Sequence, residues 1–492
     1  CLRYYFEFTD MQGEKVYYGN YEFDKECITN RDRMFDCPQN LREEEMFEVP
    51  EWAANKVVYQ IFPSRFAATE PVDKELWYKA PITPMDDLHG NLRGIIEHMD
   101  DIQNLGIDVL YMTPIFQSNS CHKYDTTDYY QIDPSFGTTE DLKELVQKAH
   151  ERGMKVVLDA VYNHTGREFF AFADILENGE KSKYRDWYFI DGFPLKSEWG
   201  EIPNFKCFGY YGGMPKLNLK NPEVEKYITD VACYWIKECD IDGWRLDVGD
   251  EISHFFWKNF RKAVKAVKKD LLIIGEIWHY AGDFLEGDEW DTVMNYPFYL
   301  NLIDLLADEK ITVSQFVQNL GYLKGRLNKN CYPLMWNLID SHDTARFLHL
   351  CNDNKKKQHL AAAFQLLLPG MPMIYYGDEY AMPGANDPDC RRGMYWDEEY
   401  QDKEMYEWYK RLIQVRKSHA CIVEGELAGI VTEDEEGTVV LIRKNGEETI
   451  AMIFNCSSSA KKFNEYTEKY NLLTENTFDG KVEEFDAAVI VL

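Results

Sequence analysis

IDGWRLDV, residues 241–248, is a short apolar run that ends in polar residues, and it carries the clearest fold signal in the chain. It follows the helical pattern VEKYITDVACYWIKE (224–238) and precedes a second apolar run, LLIIGEIW (271–278). Apolar runs that alternate with amphipathic segments of helical length indicate a parallel sheet with crossover helices. The segment is therefore predicted to be one strand of such a sheet.

The same alternation extends in both directions from this strand. Helical periodicity also fits LRGIIEHMDDIQNLG (92–106) and TTEDLKELVQKAHERG (138–153), the second of which begins at the capping residue Thr138 and closes on Gly153. Eight strands with crossover helices predict an α/β fold, a closed (β/α)₈ TIM barrel. The predicted strands are VVYQIFP (57–63), IDVLYMTPIF (107–116), KVVLDAVYN (155–163), IDGWRLDV (241–248), LLIIGEIW (271–278), DTVMNYPF (291–298), LMWNLIDSH (334–342) and MPMIYYG (371–377).

Three regions depart from the barrel pattern. Residues 1–50 alternate aromatic and polar side chains and predict a small β domain. Residues from about 164 to 219 form an interval longer than an ordinary βα loop, without a clear helix, and predict an inserted domain B after strand 3. Residues 423–492 return to alternation and predict a C-terminal antiparallel β domain. The barrel is thus expected over residues 51–422.

Composition narrows the classes of partner. The chain has 492 residues and a formal net charge of -31, which repels nucleic acid and anionic lipid. No apolar run approaches the roughly 20 residues needed to span a bilayer, and the first residues lack the pattern of a signal peptide. The twelve cysteines include no CxxC pair, which favours reduced thiols. We expect a cytoplasmic protein that binds neither nucleic acid nor membranes.

The strand at 241–248 presents the first candidate for catalysis. The chemistry of a (β/α)₈ barrel lies at the C-terminal ends of its strands. Because side chains alternate along a strand, Arg245 and Asp247 point to the same face, and the guanidinium can hold the carboxylate ionised. An ionised carboxylate beside an anomeric carbon is what a covalent glycosyl intermediate requires. A structural Arg and Asp ion pair is the alternative that this pattern leaves open.

The strand at 271–278 presents a second carboxylate, Glu276, after four apolar residues and before Ile277 and Trp278. Apolar surroundings favour the neutral form of a carboxyl group, which makes Glu276 the natural proton donor. A retaining mechanism would place it roughly 5 to 5.5 Å from Asp247. Taken alone, Glu276 could equally be a structural acid at the barrel mouth.

Further polar residues follow other strands and could bind sugar hydroxyls or a pyranose face. His342 and Asp343 close strand 7, His164 follows strand 3, and His122 and Tyr124 follow strand 2. Each of these has a structural explanation when taken singly. Their occurrence, in order, at the ends of several strands is what indicates one active site.

These motifs resemble the signature regions of a known family. DAVYNH (159–164), GWRLD (243–247), GEIW (275–278) and DSHD (340–343) are similar to the four ordered regions of the α-amylase superfamily, glycoside hydrolase family 13. MPKLN (214–218), GEIWH (275–279) and NDPDCRR (386–392) resemble its neopullulanase, cyclomaltodextrinase and maltogenic amylase group. The resemblance implies the barrel, domain B and C-terminal β domain already predicted, with residues 1–50 as a partial N-terminal β domain.

The resemblance also implies roles for individual residues. Asp247 is expected to be the nucleophile, Glu276 the general acid/base and Asp343 the transition-state stabiliser. The residues implied to bind the substrate are His122, Tyr124, His164, Arg245 and His342 at the −1 subsite, and Asp387 and Arg391 at the next sugar.

The implied activity is retaining hydrolysis of α-1,4 bonds in cyclodextrins, maltooligosaccharides, pullulan or starch, with α-1,6 cleavage left open. A 4-α-glucanotransferase uses the same covalent intermediate and stays an alternative, as does a non-catalytic carbohydrate-binding homologue.

Two departures from the family bear on cofactors. Residues 67–78, AATEPVDKELWY, lack the Asn- and Asp-rich run with which many members bind calcium, and calcium needs oxygen ligands. Glu251 stands where many amylases carry a histidine near their central calcium. We therefore expect no required metal ion or other cofactor. A homodimer is common in the group, but the incomplete N-terminal domain leaves it open here.

Overall fold

The computed structural model describes residues 2–10, 12–20, 23–37, 48–196 and 202–492. The chain divides into two compact units, Cys1–Glu48 and Val49–Leu492. The predicted boundary at 422, and the limits of the insertion at about 164–219, stay predictions. Parts of the predicted N-terminal and inserted domains, residues 38–47 and 197–201, lie outside the described residues. Among the described helices, none is both long and apolar enough to cross a membrane.

The first unit consists of short antiparallel strands rich in aromatic residues. β1 pairs with β5, and β2, β3 and β4 form a second sheet in that order. The strands are β1 Leu2–Tyr4, β2 Phe6–Thr9, β3 Lys15–Tyr18, β4 Phe23–Asp24 and β5 Phe35–Cys37.

The second unit is built on an eight-stranded parallel barrel, as predicted. The strand order is β13-β12-β11-β10-β7-β6-β15-β14, and a parallel bridge between Met294 and Trp336 joins the first strand of this order to the last. Tyr111, Ile274 and Met373 are among the large side chains that fill the interior. The strands of this region are β6 Val58–Ile61, β7 Val109–Met112, β8 Phe116–Ser118, β9 Thr126–Ile132, β10 Lys155–Ala160, β11 Gly243–Leu246, β12 Leu272–Gly275, β13 Thr292–Val293, β14 Trp336–Asn337 and β15 Met371–Tyr375.

Helices connect the barrel strands. Thr138 caps α5 in a reciprocal capping box with Asp141, as its sequence predicts. The predicted helix at 92–106 is instead two helices, because His98 leaves helical geometry and stacks on Trp396 at 3.6 Å. The helices are α1 Pro63–Phe66, α2 Lys74–Trp77, α3 Leu92–Glu97, α4 Met99–Leu105, α5 Thr139–Glu151, α6 Phe170–Asn178, α7 Pro222–Cys239, α8 His254–Val267, α9 Tyr296–Leu302, α10 Val313–Arg326, α11 Phe347–Leu350, α12 Lys355–Leu367, α13 Lys403–Ser418 and α14 Cys421–Glu424.

The interval after β10 contains a helix that the sequence pattern did not reveal. α6 begins without a capping side chain, and only Ala171, Phe172 and Ile175 of it are buried, so both usual signals are weak. The rest of the interval is held by isolated bridges between single residues, including His164 with Lys216 and Tyr188 with Leu217. The interpretation of this region as lacking a helix is therefore wrong.

The C-terminal region is an antiparallel sheet, as predicted, with the order β16-β17-β18-β23-β20-β21, and a separate pair, β19-β22. Gly446, between β17 and β18, and Gly480, just before β22, have positive φ angles, which glycine adopts without strain. The strands are β16 Glu426–Glu433, β17 Thr438–Asn445, β18 Glu448–Asn455, β19 Lys461–Lys462, β20 Tyr470–Asn471, β21 Asn476–Thr477, β22 Lys481–Val482 and β23 Asp486–Val491.

Candidate active site

A cavity of about 430 Å³ lies at the C-terminal ends of the barrel strands. Arg245 and His342 do not line it, but both contact residues that do. The structure thus brings all the predicted site residues together. The residues lining the cavity are His122, Tyr124, His164, Phe208, Met214, Asp247, Val248, Glu276, Trp278, Asp343, Asp387 and Arg391.

The Arg245 guanidinium is the electrostatic centre of the site. It is fully buried, and its Nη1 lies 2.9 Å from Asp247 Oδ1 and 3.0 Å from both carboxylate oxygens of Asp159. Its Nη2 lies 2.9 Å from Glu276 Oε2. One guanidinium therefore contacts three carboxylates, because the strands that position them, β10, β11 and β12, are neighbours in the sheet.

The Asp247 carboxyl is almost completely buried, at 6% exposure. Burial raises its pKa well above the usual value, and the neighbouring Arg245 guanidinium opposes this rise. Burial likewise raises the pKa of Asp159 to about 6. Among the described residues, Asp247 Oδ2 has no hydrogen-bond partner. This oxygen is therefore available to a substrate in the cavity.

Glu276 follows β12 directly, next to a glycine that the packing requires. A Cβ at Gly275 would lie 2.2 Å from the Trp290 ring. Glu276 is 7% exposed, and its Oε1 accepts a hydrogen bond of 3.2 Å from the Trp278 indole. The prediction of apolar surroundings is wrong for Oε2, because the fold brings the Arg245 guanidinium to it.

The residue after the candidate nucleophile holds a strained conformation. Val248 has φ 48° and ψ 45°, a left-handed geometry that is costly for a β-branched residue, by about 1–3 kcal/mol. This turn directs the Val248 N–H to Glu276 Oε2 at 2.9 Å. The Gly249 N–H also donates to the Glu276 carbonyl at 3.2 Å. The turn after Asp247 therefore fixes the position of Glu276.

A chain of hydrogen bonds fixes the protonation of His342. Burial lowers its pKa well below the usual value, so the ring is neutral near pH 7. With Gln60 Nε2 assigned as donor to His342 Nδ1 at 2.7 Å, the ring proton lies on Nε2. Nε2 then donates to the Tyr124 hydroxyl at 2.5 Å, and that hydroxyl donates to Asp159 at 3.0 Å.

Asp343 lies at the wall of the cavity and is 30% exposed. Its Oδ2 is 3.1 Å from His342 Nε2, and its Oδ1 is 3.3 Å from Arg391 Nη2. Arg391 also donates from Nε to the His342 carbonyl at 2.7 Å and pairs with Asp387 at 2.9 Å. Arg391, in the loop after β15, therefore contacts the segment after β14, and each of these two segments presents one carboxylate to the cavity, Asp387 and Asp343.

Two further histidines line the cavity in neutral form. Burial lowers the pKa of His164 to about 4, and its ring stacks on Phe208 at 5.1 Å. Within the described part of the chain, His164 Nε2 has no partner. Burial also lowers the pKa of His122, whose Nδ1 accepts from the Tyr124 N–H at 3.1 Å. Both rings can therefore exchange hydrogen bonds with an uncharged ligand.

Comparisons with known proteins agree with this geometry. Residues 60–425 match the family described as the alpha amylase catalytic domain. The chain belongs to the alpha-amylase family. A cyclomaltodextrinase from Geobacillus thermopakistaniensis (strain MAS1) is 45% identical over 452 residues, which cover 91% of this chain and 76% of that protein. Neopullulanase 2 from Thermoactinomyces vulgaris is 42% identical over 460 residues, covering 92% of this chain and 78% of that protein.

A solved structure of a cyclomaltodextrinase superposes with a TM-score of 0.92 at 37% identity, covering 99% of this chain and 86% of that one. These relatives confirm the predicted family, group and fold. This alpha-amylase family protein is accordingly a glycoside hydrolase that acts on α-glucans.

The family resemblance places the calcium ion of many amylases near Asn163 and Glu251, but here the Lys216 ammonium lies between these two side chains. Lys216 Nζ lies 2.6 Å from Asn163 Oδ1, 2.6 Å from Glu251 Oε2 and 3.2 Å from the Glu251 carbonyl. No cluster of three or more His, Cys, Asp or Glu side chains suited to a metal occurs among the residues the structure describes. The residues present at this position therefore do not fit a calcium ion.

Sequence reasoning missed several residues of this amylase-family site. Trp278 and Met214 lie within the quoted motifs GEIW and MPKLN, so these motifs could have identified them. Val248 and Phe208 carry no such signal, because valine is an ordinary strand residue and Phe208 lies in the irregular interval. Gln60 lies within β6, whose last residue is the apolar Ile61, so no polar strand end indicated it.

Proposed function

We propose that this protein hydrolyses α-1,4-glucosidic bonds in cyclodextrins, maltooligosaccharides, pullulan or starch, with retention of configuration. The observation that carries the proposal is the shared guanidinium. Arg245 lies 2.9 Å from oxygens of both Asp247 and Glu276, so the two carboxyl groups are close together. A close pair supports a retaining mechanism. An inverting mechanism instead needs a wider separation, with room for a water molecule between the two carboxyl groups.

The first step forms a covalent intermediate. Asp247 Oδ2 attacks the anomeric carbon, and the bond from that carbon to the glycosidic oxygen breaks as the bond to Oδ2 forms. Glu276 transfers its proton to the departing oxygen, so the leaving sugar carries a hydroxyl group. Asp343, which the neutral His342 ring holds in place at 3.1 Å, binds sugar hydroxyls while the sugar ring becomes oxocarbenium-like.

The second step hydrolyses this glycosyl ester. Glu276, now a carboxylate, takes a proton from a water molecule as the water oxygen bonds to the anomeric carbon. The bond to Asp247 breaks and the carboxylate is released, and two successive inversions give net retention. Val248 N–H and the Trp278 indole keep the Glu276 carboxyl in place through both steps.

Product analysis tests this proposal. The purified protein is incubated separately with β-cyclodextrin, pullulan and soluble starch, with Asp247→Asn as the inactive control, and products are separated by chromatography. We expect cyclodextrin opening to maltose and glucose, and panose from pullulan. Longer oligosaccharides that outweigh hydrolysis would favour the 4-α-glucanotransferase, and no products from any substrate would favour the carbohydrate-binding homologue.

We also propose that the enzyme works without a metal ion. The Lys216 ammonium already satisfies oxygens of Asn163 and Glu251, so a divalent cation gains no site there. Activity on β-cyclodextrin should be the same after exhaustive treatment with EDTA as after addition of Ca²⁺. Loss of activity in EDTA that Ca²⁺ restores would overturn this proposal.

Location and assembly are proposals of the same kind. Cys27 and the nine described cysteines from Cys121 to Cys456 are free thiols, which supports a reducing compartment such as the cytoplasm. Phe6, Phe8 and Phe23 in the first unit are 48%, 52% and 63% exposed, and such an aromatic surface supports a homodimer. Light scattering coupled to gel filtration should give twice the mass of the chain, and a monomer mass at micromolar concentration would contradict it.

A further inference from the structure

A second cavity, of about 350 Å³, lies between helices α12 and α13 and the loop after β20. It shares no lining residue with the catalytic cavity. Its lining includes His359, Glu404, Glu407, Trp408, Lys410, Arg411 and Leu473.

One wall of this cavity is a rigid aromatic surface. The Trp408 and His359 rings stack with centroids 3.7 Å apart and planes inclined by 11°, and the Trp408 indole donates to the His359 carbonyl at 2.9 Å. Burial lowers the pKa of His359 to about 4, so the stack is uncharged near pH 7. Leu473 adds an apolar edge. A fixed ring of this kind can accept the apolar face of a sugar without losing much entropy.

The polar groups around this wall favour a neutral ligand. Glu404 and Glu407 form no hydrogen bond or ion pair with other residues in the described ranges, whereas Arg411 is already paired with Glu475 at 2.6 Å. Lys410 supplies the remaining positive charge. Two uncompensated carboxylates against one ammonium disfavour an anionic ligand, while carboxylates and amides accept hydrogen bonds from hydroxyl groups.

We propose that this cavity is a second α-glucan-binding site, which holds a few glucosyl units of a long chain away from the catalytic centre. The inference rests on the proposed function, since it takes the enzyme's own substrate as the ligand. A glucan bound at both places is held at a higher effective concentration at the active site. Long glucans should therefore gain from the second site, whereas short oligosaccharides that reach only the catalytic cavity should not.

Binding stoichiometry is the direct test. Maltoheptaose is titrated by calorimetry into Glu276→Gln, which binds without turnover, and into the Glu276→Gln protein that also carries Trp408→Ala. We expect two sites in the first protein and one in the second. One site in both proteins would overturn the inference, while no binding together with no hydrolysis by the wild type would instead overturn the proposed function.

Kinetics with the otherwise wild-type enzyme give a second test. Trp408→Ala should raise KM for soluble starch by about three- to tenfold, as expected for loss of one stacking contact, and leave kcat/KM for maltotriose unchanged. Glu407→Ala is a second variant, which should not disturb folding because this exposed side chain has no partner in the described structure. It should also raise KM for starch. Equal losses on starch and maltotriose in both variants would contradict a second site.

Discussion

The two walls of the catalytic cavity are built in different ways. The wall at the barrel strand ends carries Asp247 and Glu276, which are 6% and 7% exposed and held by the fully buried Arg245. The wall from residues 164–219 carries Phe208, in a segment fixed by isolated bridges, and its neighbour Tyr210 is 89% exposed. The barrel wall is thus buried and charged, whereas the inserted wall is aromatic and partly exposed.

This difference separates chemistry from substrate fit. Groups that must hold a transition state need fixed positions, which parallel strands and buried ion pairs provide. Groups that only contact bound sugar tolerate more freedom, and such residues often lie on loops. Changes at the barrel wall should therefore act on kcat, and changes at the inserted wall should act on KM.

The largest effect is expected from Asp247→Asn at the barrel wall. Because this change removes the proposed nucleophile, kcat/KM on β-cyclodextrin should fall by roughly 10⁴-fold or more. Steady-state assays measure the loss, and thermal unfolding checks that the variant stays folded. A variant with more than a tenth of the wild-type activity would show that the nucleophile lies elsewhere.

A shift in the pH profile should follow from Arg245→Lys. The guanidinium lowers the pKa of Asp247 against the effect of burial, and a lysine cannot reach several carboxylates at once. The pKa of Asp247 should then rise, so the ionised nucleophile is lost at a higher pH. The acid limb of kcat/KM should move upward by about 1 to 3 pH units. An unmoved acid limb in a folded variant would contradict this role.

A smaller effect is expected where the two walls join. Lys216 belongs to the insertion and binds Glu251, whose turn also contains Val248. Lys216→Met should lower the free energy of unfolding by about 1–2 kcal/mol and kcat/KM several-fold, because the turn that holds Glu276 loosens. Lys220→Met, at an exposed lysine outside the cluster, is the matched control. Equal behaviour of the two variants would show that the cluster does not support the site.

The smallest effect is expected at the inserted wall. Phe208→Ala removes a ring that stacks on His164, and KM for maltooligosaccharides should rise about three- to tenfold with little change in kcat. Tyr210→Ala, at the exposed end of the same segment, should leave both constants near the wild-type values. A large loss of kcat in Phe208→Ala would break the distinction between the two walls.

The contrast between the barrel wall and the inserted wall also explains which features of the site the sequence could predict. The eight barrel strands and the carboxylates that follow them were predictable because strand patterns are local and the chemistry lies at their ends. The barrel fold and family are confirmed, whereas the individual catalytic roles stay predictions.

The remaining features depend on tertiary structure that no local pattern encodes. Helix α6 has neither a capping side chain nor a strong apolar stripe, so its sequence looks like a loop. The left-handed Val248 is strained against its own preference and is held by the surrounding fold. The contact of Arg245 with Glu276 joins separate strands, and it replaces the apolar environment that the flanking residues suggest.

The central claim is that Asp247 forms a covalent bond to the sugar, and trapping this intermediate tests it most directly. Glu276→Gln is incubated with α-maltosyl fluoride, whose leaving group needs little acid assistance, and the protein is digested and examined by mass spectrometry. We predict a maltosyl ester on Asp247, within the peptide that contains β11. A maltosyl group on another residue, or fluoride release without any adduct and with an inverted product, would contradict the retaining mechanism.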